Sequence, residues 1–316
     1  MTDQSAGGFT PGSAGPLEYP HRSYGMDHDR YDWSMLVDRP PLAWPDGAGL
    51  AVWVVVPLQF FPLNPQGFPV KVPGNMTMPY PDLRHYTLRD FGNRVGVHRV
   101  LAAIDDAGLV PTFAVNGRLA ERDPGLMALV RDRGNEVIGH SWSMDTPHAG
   151  GLGEEDERVL VARTLDALES ATGARPTGWV SPGRLNSPVT PDLLAEAGVE
   201  WFADWVNDDL PYPFRTRAGE LTAMPLPTEL ADTFVIGENL HSEASWAEQV
   251  ADAADLLATE AGSGGGRVLG LTIHPWLMGQ PHRVRHLRAA LQHVAAIPGV
   301  WAASGSAIRA AAQPRD

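Results

Sequence analysis

Short apolar strands alternate with helical segments over residues 50–310, and this alternation restricts the fold more than any other feature. Repeated strand–helix units favour parallel strands joined by right-handed crossovers. Roughly seven strands favour an α/β fold with a closed or nearly closed barrel over an open sheet. The predicted strands are Leu50–Val56, Val110–Val115, Glu136–Ile138, Gly178–Val180, Val199–Ala203, Leu221–Met224, Arg267–Thr272 and Val300–Ala303.

Helices are predicted between these strands from apolar residues at helical spacing and from glycines that follow the last turn. Thr190 is predicted as an N-cap because Pro191 follows it at the first helical position. The predicted helices are Asn93–Ala107, Pro124–Arg133, Glu154–Ala171, Thr190–Ala197, Ser245–Glu260 and Arg283–Ala296.

The chain is predicted to contain an N-terminal arm, residues 1–47, and one barrel domain, residues 48–316. The arm is rich in Gly, Pro, Asp and Tyr and lacks a sustained hydrophobic period. We expect it to pack on the barrel through Trp33, Leu36 and Trp44. The proline-rich stretch after the first strand, to about His85, is predicted to be a long loop.

Composition excludes several classes of partner and site. The net charge of −14 disfavours nucleic acid and anionic membranes, because acidic chains repel phosphate groups. Cysteine is absent, so disulfides, thiolate nucleophiles and cysteine metal sites are excluded. The first residues lack the basic and apolar regions of a signal peptide, and no long apolar span is present. We therefore expect a soluble, cytoplasmic protein.

Polar residues follow most of the predicted strands. The active sites of α/β barrels lie at this end, where the carboxyl ends of the parallel strands meet. Six such ends predict a shared pocket rather than separate structural caps. The most informative segment, residues 135–148, runs from a short strand into a turn with many hydrogen-bonding groups. The six residues at strand ends are Gln59, Asn116, His140, Arg184, Asp204 and His274.

The chain resembles the polysaccharide deacetylase (NodB-type) superfamily and, within it, the allantoinase-like branch. The resemblance implies a distorted (β/α) barrel with about seven parallel strands. It also implies hydrolysis of a non-peptide carbon–nitrogen bond in a small amide, cyclic ureide, imide or N-acetyl group. The segments that carry it are LRDFGNRVGVHRVLAAIDDAGLVPTFAVNG (88–117), DPGLMALVRDRGNEVIGHSW (123–142), GWVSPGRLNSPVTPDLLAEAGVEWFADWVNDDLPY (178–212) and LGLTIHPWLMGQPHRVRHLRAAL (269–291).

The expected metal site of the superfamily departs from its pattern in this sequence. Metal-dependent members hold a divalent cation with an Asp after the first strand and two His spaced by four residues. Here Gln59 follows the first strand, His140 matches the first histidine, and Met144 stands four residues later. Zinc requires three protein ligands in a catalytic site. We therefore expect no tightly bound cofactor, with zinc at His140 plus His148 or Asp145 as the alternative.

His274 and His140 are predicted to form the acid/base pair, because imidazole titrates near neutral pH. His274 would move the proton, while His140 would orient water or substrate. Asp204 would fix a histidine tautomer or hold an amide N–H, and Arg184 would stabilise a developing oxyanion. Further predicted substrate contacts are Gln59, Asn116, Arg89 and Trp142.

Two other interpretations stay open at the level of the sequence. One is a metal-dependent polysaccharide deacetylase, and the other is a catalytically inactive homologue that acts as a binding protein. We expect a small amide or ureide as the partner in catalysis. The resemblance to the allantoinase-like branch, the N-terminal arm and the tryptophan-rich edges also predict a homo-oligomer.

Overall fold

A curved sheet forms the centre of the protein in the computed structural model, which describes residues 26–67, 80–149 and 151–313. Its order is β6-β7-β5-β4-β3-β2-β1-β8, and β9 also pairs with β1. Only the β6–β7 pair is antiparallel among the described strands. The strands are β1 Leu50–Leu58, β2 Pro111–Val115, β3 Val137–Gly139, β4 Gly178–Trp179, β5 Trp201–Phe202, β6 Tyr212–Thr216, β7 Gly219–Ala223, β8 Arg267–Thr272 and β9 Val300–Ala302.

The strand β1 is buried along its whole length, as its apolar sequence predicts. It pairs with β2 on one side and with β8 and β9 on the other. Its side chains alternate between two apolar clusters, because successive residues of a strand point to opposite faces. The inner cluster contains Ala51, Trp53 and Val55, together with Ala114, Ile138, Trp201 and Val268.

The sheet curls around this inner cluster into the predicted distorted barrel. Trp53 of β1 and Trp201 of β5 lie on strands separated by β2, β3 and β4, yet their ring centroids are 5.3 Å apart. The start of the last helix, at Gly305, closes the amino-terminal end of the barrel against both rings. The outer cluster packs β1, β2 and β8 against helices through Val52, Val54, Val56, Phe113, Leu269 and Leu271.

Helices cover the outer face of the sheet, and most of them lie within a few residues of their predicted positions. The helices α1, α3, α8 and α10 are additional to the prediction. Thr190 lies inside α6, and Val189 is the N-cap residue, so the predicted cap is wrong. The helices are α1 Leu83–Phe91, α2 Val97–Asp106, α3 Gly117–Arg122, α4 Pro124–Arg133, α5 Glu154–Thr172, α6 Thr190–Glu196, α7 Glu243–Gly264, α8 Pro275–Met278, α9 Val284–Ala296 and α10 Gly305–Ala312.

Two parts of the chain differ from the prediction for identifiable reasons. Strand β6 was not predicted, because its sequence contains Pro213 and polar residues and lies at the sheet edge, where only Phe214 is buried. In the arm, Trp44 is buried as expected, but Trp33 is 64% exposed. The expected packing through Trp33 is therefore wrong. Residues 1–25 of the arm and 68–79 of the predicted loop lie outside the described residues.

None of the helices in the described ranges is long and apolar enough to cross a bilayer.

Candidate active site

The carboxyl ends of β1, β3 and β8 bring three of the predicted residues together. Gln59 follows β1, His140 follows β3, and His274 follows β8. Gln59 Nε2 lies 3.1 Å from His140 Nε2. The charges of His274 and Arg184 both act on His140 and help to lower its pKa. Gln59, His140 and His274 therefore lie at one edge of the sheet, with Arg184 close enough for its charge to act on His140.

His140 is held as a neutral imidazole. Its Nδ1 lies 2.7 Å from the carbonyl oxygen of Val180, which can only accept a hydrogen bond. Nδ1 therefore carries the proton, and Nε2 accepts from the amide of Gln59. Burial lowers the pKa of His140 to about 3, and the neighbouring charges of His274 and Arg184 act in the same direction. Both ring nitrogens are engaged, so His140 is not placed to exchange protons at neutral pH.

The amide of Gln59 is oriented by a tryptophan on the other side. Trp276 Nε1 donates to Gln59 Oε1 at 3.4 Å, which places the Gln59 amide nitrogen toward His140. Together these contacts form a donor series in which Trp276 donates to Gln59, Gln59 to His140, and His140 to the Val180 carbonyl. The series fixes both the amide orientation and the histidine tautomer.

His274 is paired with a buried carboxylate. Its Nδ1 lies 2.6 Å from Asp232 Oδ1, and its backbone N–H donates to Asp232 Oδ2 at 2.7 Å. The Thr233 N–H also donates to Asp232, at 2.8 Å. Among the described residues no hydrogen bond engages His274 Nε2, and the residue is 8% exposed. The Asp232–His274 pair therefore leaves Nε2 of the imidazole without a hydrogen bond inside the described part of the chain.

Sequence reasoning missed Asp232 and assigned its role to Asp204. Asp204 contacts no histidine by a hydrogen bond within the described ranges. Its Oδ1 accepts from the Ser181 N–H at 2.6 Å, and its Oδ2 accepts from the Ser181 hydroxyl at 2.7 Å. Burial raises its pKa despite these donors. Asp204 therefore stabilises the turn after β4. Asp232 follows no predicted strand, and nothing in its local sequence marks it.

Arg184 lies beside the site in an unusual backbone conformation. Its φ is 55°, in the left-handed region that side chains other than glycine rarely occupy. Its Nη2 donates to the carbonyl oxygens of Leu226 and Pro227. Its buried Nε has no hydrogen-bond partner among the described residues. Burial lowers the pKa of Arg184 to about 10, against the opposing charges of Asp204 and Glu229.

Arg89 supports the site through an aromatic contact. Its guanidinium carbon lies 3.6 Å from the ring centroid of Trp276, the donor to Gln59. Burial lowers the pKa of Arg89 to about 9, and the charge of Asp82 opposes the shift. Arg89 and Gln59 also line a cavity of about 210 Å³ beside the end of β1. Arg89 therefore lies next to Gln59 and Trp276, and its predicted contact with substrate stays a prediction.

Asn116 and Trp142 do not face the open space. The Asn116 side chain is fully buried, accepts from the Phe60 N–H at 2.8 Å and donates to the carbonyl of His140. Trp142 packs against Gly117, and the guanidinium of Arg163 lies 3.6 Å from its ring centroid. Asn116 therefore holds the ends of β1 and β3 together, and Trp142 lies between helices.

The residues that could hold a divalent metal do not fit one. His140 Nε2, the nitrogen that a cation would need, accepts a hydrogen bond from Gln59. Met144 is buried in the outer apolar cluster. Asp145 accepts from the Gln66 N–H at 2.9 Å and from the Ser143 hydroxyl. Within the described ranges no group of three His, Asp or Glu residues is arranged to bind a metal.

His148, the other alternative ligand, is also engaged on both nitrogens. Its Nδ1 lies 2.9 Å from Glu157 Oε1, and its Nε2 lies 2.9 Å from the Ser141 hydroxyl. Glu157 also accepts from Ser187 and Thr190. This fully buried network joins the turn after β3 to α5 and α6. Neither alternative ligand therefore lies free beside His140.

Comparisons with known proteins show what this chain is similar to. Residues 86–202 match the family model for polysaccharide deacetylases. A putative polysaccharide deacetylase from Schizosaccharomyces pombe is 24% identical over 298 residues, which cover 85% of this chain and 91% of that protein. The predicted resemblance to this superfamily is confirmed.

Solved structures agree with this similarity and confirm the predicted barrel. A putative polysaccharide deacetylase from Mycobacterium smegmatis superimposes with a TM-score of 0.70 at 27% identity, covering 88% of this chain and 96% of that one. The fold is also similar to that of Puue allantoinase, with a TM-score of 0.76 at 21% identity over 89% and 97% of the two chains. The protein is a hydrolase of carbon–nitrogen bonds other than peptide bonds, as predicted.

Proposed function

We propose that this deacetylase-family protein hydrolyses a small amide, cyclic ureide or imide, with His274 as the acid/base and no resident metal. The proposal rests on a difference between the Nε2 atoms of His274 and His140. His274 Nε2 is open while Asp232 holds Nδ1, whereas His140 Nε2 is occupied by the Gln59 amide. The family normally supplies a metal-activated water, and this site offers a histidine–carboxylate pair instead.

In the proposed reaction, His274 Nε2 accepts a proton from water as the water oxygen bonds to the substrate carbonyl carbon. The same nitrogen then returns the proton to the leaving nitrogen as the carbon–nitrogen bond breaks. Asp232 would stabilise the transient imidazolium through Nδ1, because a carboxylate accepts most strongly from a charged donor. The Arg184 guanidinium supplies hydrogen-bond donors for the oxyanion that develops on the carbonyl.

Gln59 and His140 would act as one rigid wall of this site. Both expose less than a tenth of their surface, and their polar atoms are already paired. A wall of this kind orients a substrate without transferring protons. We further propose that the protein works in the cytoplasm as a homo-oligomer, in line with its composition and its N-terminal arm.

Metal analysis combined with a substrate screen tests the proposal. The purified protein would be assayed for bound zinc and then offered a cyclic ureide, an imide and an N-acetyl sugar, with and without EDTA. Chelator-resistant turnover of the first or second substrate, abolished in His274→Ala, supports the proposal. Stoichiometric zinc with chelator-sensitive release of acetate would replace it with the metal-dependent deacetylase that the relatives' names suggest. Absence of turnover would favour the inactive homologue.

A further inference from the structure

Thr272 carries a buried hydroxyl without a hydrogen-bond partner among the described residues. It lies at the end of β8, two residues before His274. Leaving a buried hydroxyl unpaired is unfavourable, and valine would fill the same volume without that cost. Such a group in a folded protein indicates a missing partner, either an ordered water or a ligand.

The hydroxyl lies on the inner face of the barrel. Along β8, Leu269, Leu271 and Ile273 belong to the outer cluster, so the alternate residues face inward. Val268 confirms this parity, because it belongs to the inner cluster. Thr272 is also paired in register with Val55 of the inner cluster. Thr272 and His274 therefore share one face of the strand, with Thr272 about 7 Å deeper in the barrel.

The barrel below Thr272 is filled. Gly270, the next inner position, has the Pro225 carbonyl and the Leu226 side chain within contact of its missing Cβ. Trp53 and Trp201 are fully buried beneath. Thr272 itself is 7% exposed, the same exposure as Gln59 at the rim. Because the core beneath Thr272 is filled, a partner for its buried hydroxyl can approach only from the side of His274, and Thr272 forms the floor of the site on that side.

We propose that Thr272 contacts the substrate and selects the group attached to the acyl carbon, an inference that rests on the proposed function. The leaving nitrogen must stay near His274 Nε2 and the open end of the site. The substituent on the other side of the carbonyl then points down the barrel toward Thr272. A ureide that is attacked at its urea carbonyl places its second N–H there, which the hydroxyl accepts, while an N-acetyl substrate places a methyl group there, which leaves the hydroxyl unpaired. Thr272 favours ureides and related carbamoyl compounds over N-acetyl compounds.

The test compares Thr272→Val and Thr272→Ser in the full-length protein with a matched threonine. Thr112 also lies on the inner face, but its hydroxyl accepts from Trp53 Nε1 at 2.9 Å and donates to Glu136 at 2.8 Å. Without substrate, Thr272→Val should raise Tm by about 2 °C, because an unpaired hydroxyl is removed. Thr112→Val should lower Tm, because its removal leaves two partners unpaired.

The probes are hydantoin, a simple cyclic ureide, and N-acetylglucosamine. Thr272→Val should reduce kcat/KM for hydantoin at least about tenfold relative to N-acetylglucosamine, while Thr272→Ser retains the wild-type ratio. If neither probe is turned over, the same comparison is made on the Tm shift that each probe induces. An unchanged ratio in Thr272→Val, or a fall in its Tm like that of Thr112→Val, overturns the proposal. So does wild-type protein that responds to neither probe.

Failure of this inference and failure of the proposed function are distinguishable. His274→Ala removes the proton-transfer group but leaves the floor intact, so it should abolish turnover while hydantoin still raises Tm. Retained turnover in His274→Ala rejects the proposed mechanism whatever Thr272 does. A normal loss of turnover in His274→Ala, with no change of selectivity in Thr272→Val, rejects only the role of Thr272.

Discussion

Two histidines follow the carboxyl ends of β3 and β8, and their surroundings differ in almost every respect. His140 donates to a backbone carbonyl and accepts from a neutral amide, so both of its nitrogens are occupied. His274 donates to a carboxylate, and its second nitrogen is open. The carboxylate fixes which nitrogen of His274 carries a proton, whereas burial favours the neutral form of His140. Histidine therefore has a structural role after β3 and, in the proposed reaction, a catalytic role after β8.

Removing the imidazole of His274 is the most direct test of the difference between the two histidines. His274→Ala should lower kcat/KM by about 10²–10⁴-fold, because it removes the group that moves the proton. Steady-state kinetics on the substrate identified by screening, with circular dichroism to confirm folding, measures this. His293, which pairs with Asp255 on the surface at 2.9 Å, offers the matched control. Equal activity in His274→Ala and His293→Ala would contradict the assignment.

Asp232→Asn tests whether the carboxylate distinguishes the two histidines. The amide would present N–H donors where the carboxylate accepts from His274 and Thr233, so His274 loses its preferred tautomer. We expect a loss of kcat on the order of 10²-fold with a smaller change in KM. Asp255→Asn, in the exposed surface pair, should leave kcat unchanged. A pH–rate profile that keeps its wild-type shape in Asp232→Asn would argue against the orienting role.

A negative charge at position 59 tests how far burial controls the pKa of His140. Since burial holds the pKa of His140 near 3, the unfolded state binds a proton below pH 6.5 that the folded state does not. The free energy of unfolding should therefore fall with decreasing pH, by up to about 1 kcal/mol per pH unit between pH 6 and 4.

In Gln59→Glu, the carboxylate raises the pKa of His140, so this loss at low pH should shrink. Urea denaturation at pH 7, 6, 5 and 4.5 measures the slopes. Gln292→Glu adds the same charge at an exposed position of α9 and serves as the control. Parallel slopes for Gln59→Glu and wild type would show that His140 does not govern this pH range.

The smallest expected effect is that of chelation. EDTA should change kcat/KM by less than about twofold, since the nitrogen that would bind a cation accepts a hydrogen bond from Gln59 and the described residues contain no set of three protein ligands. Dialysis against EDTA followed by assay with and without added zinc measures this. A tenfold loss of kcat/KM that added zinc reverses would place a metal beside His140 and remove the proposed difference between His140 and His274.

Much of the fold could be predicted because its signals are local. The valine-rich strand β1 and the proline-and-glycine boundaries of α4 follow from residues within a few positions of each element. Strand β6 could not be predicted, since it forms by pairing with β7 at the sheet edge rather than by burying an apolar run. The short helices α1 and α3 follow packing against neighbours more than periodicity.

The candidate site was predictable only as a set of strand ends. Gln59, His140 and His274 were found because each follows an apolar run. The exchange of Asp204 for Asp232 could not be foreseen, because which carboxylate reaches which histidine depends on contacts across 42 residues of chain. The occupied state of His140 likewise depends on Trp276, which sequence places far from Gln59.

Gln59 contacts segments of the chain that are synthesised at very different times. Its amide contacts His140, 81 residues later, and Trp276, 217 residues later. In a chain emerging from the ribosome, Gln59 and His140 are therefore present long before Trp276, which orients the Gln59 amide, has been synthesised. Contacts of such sequence separation slow folding, because the ends must meet before any stabilisation is gained. The active site is thus a late product of synthesis, and nascent chains that stop before β8 should have no activity.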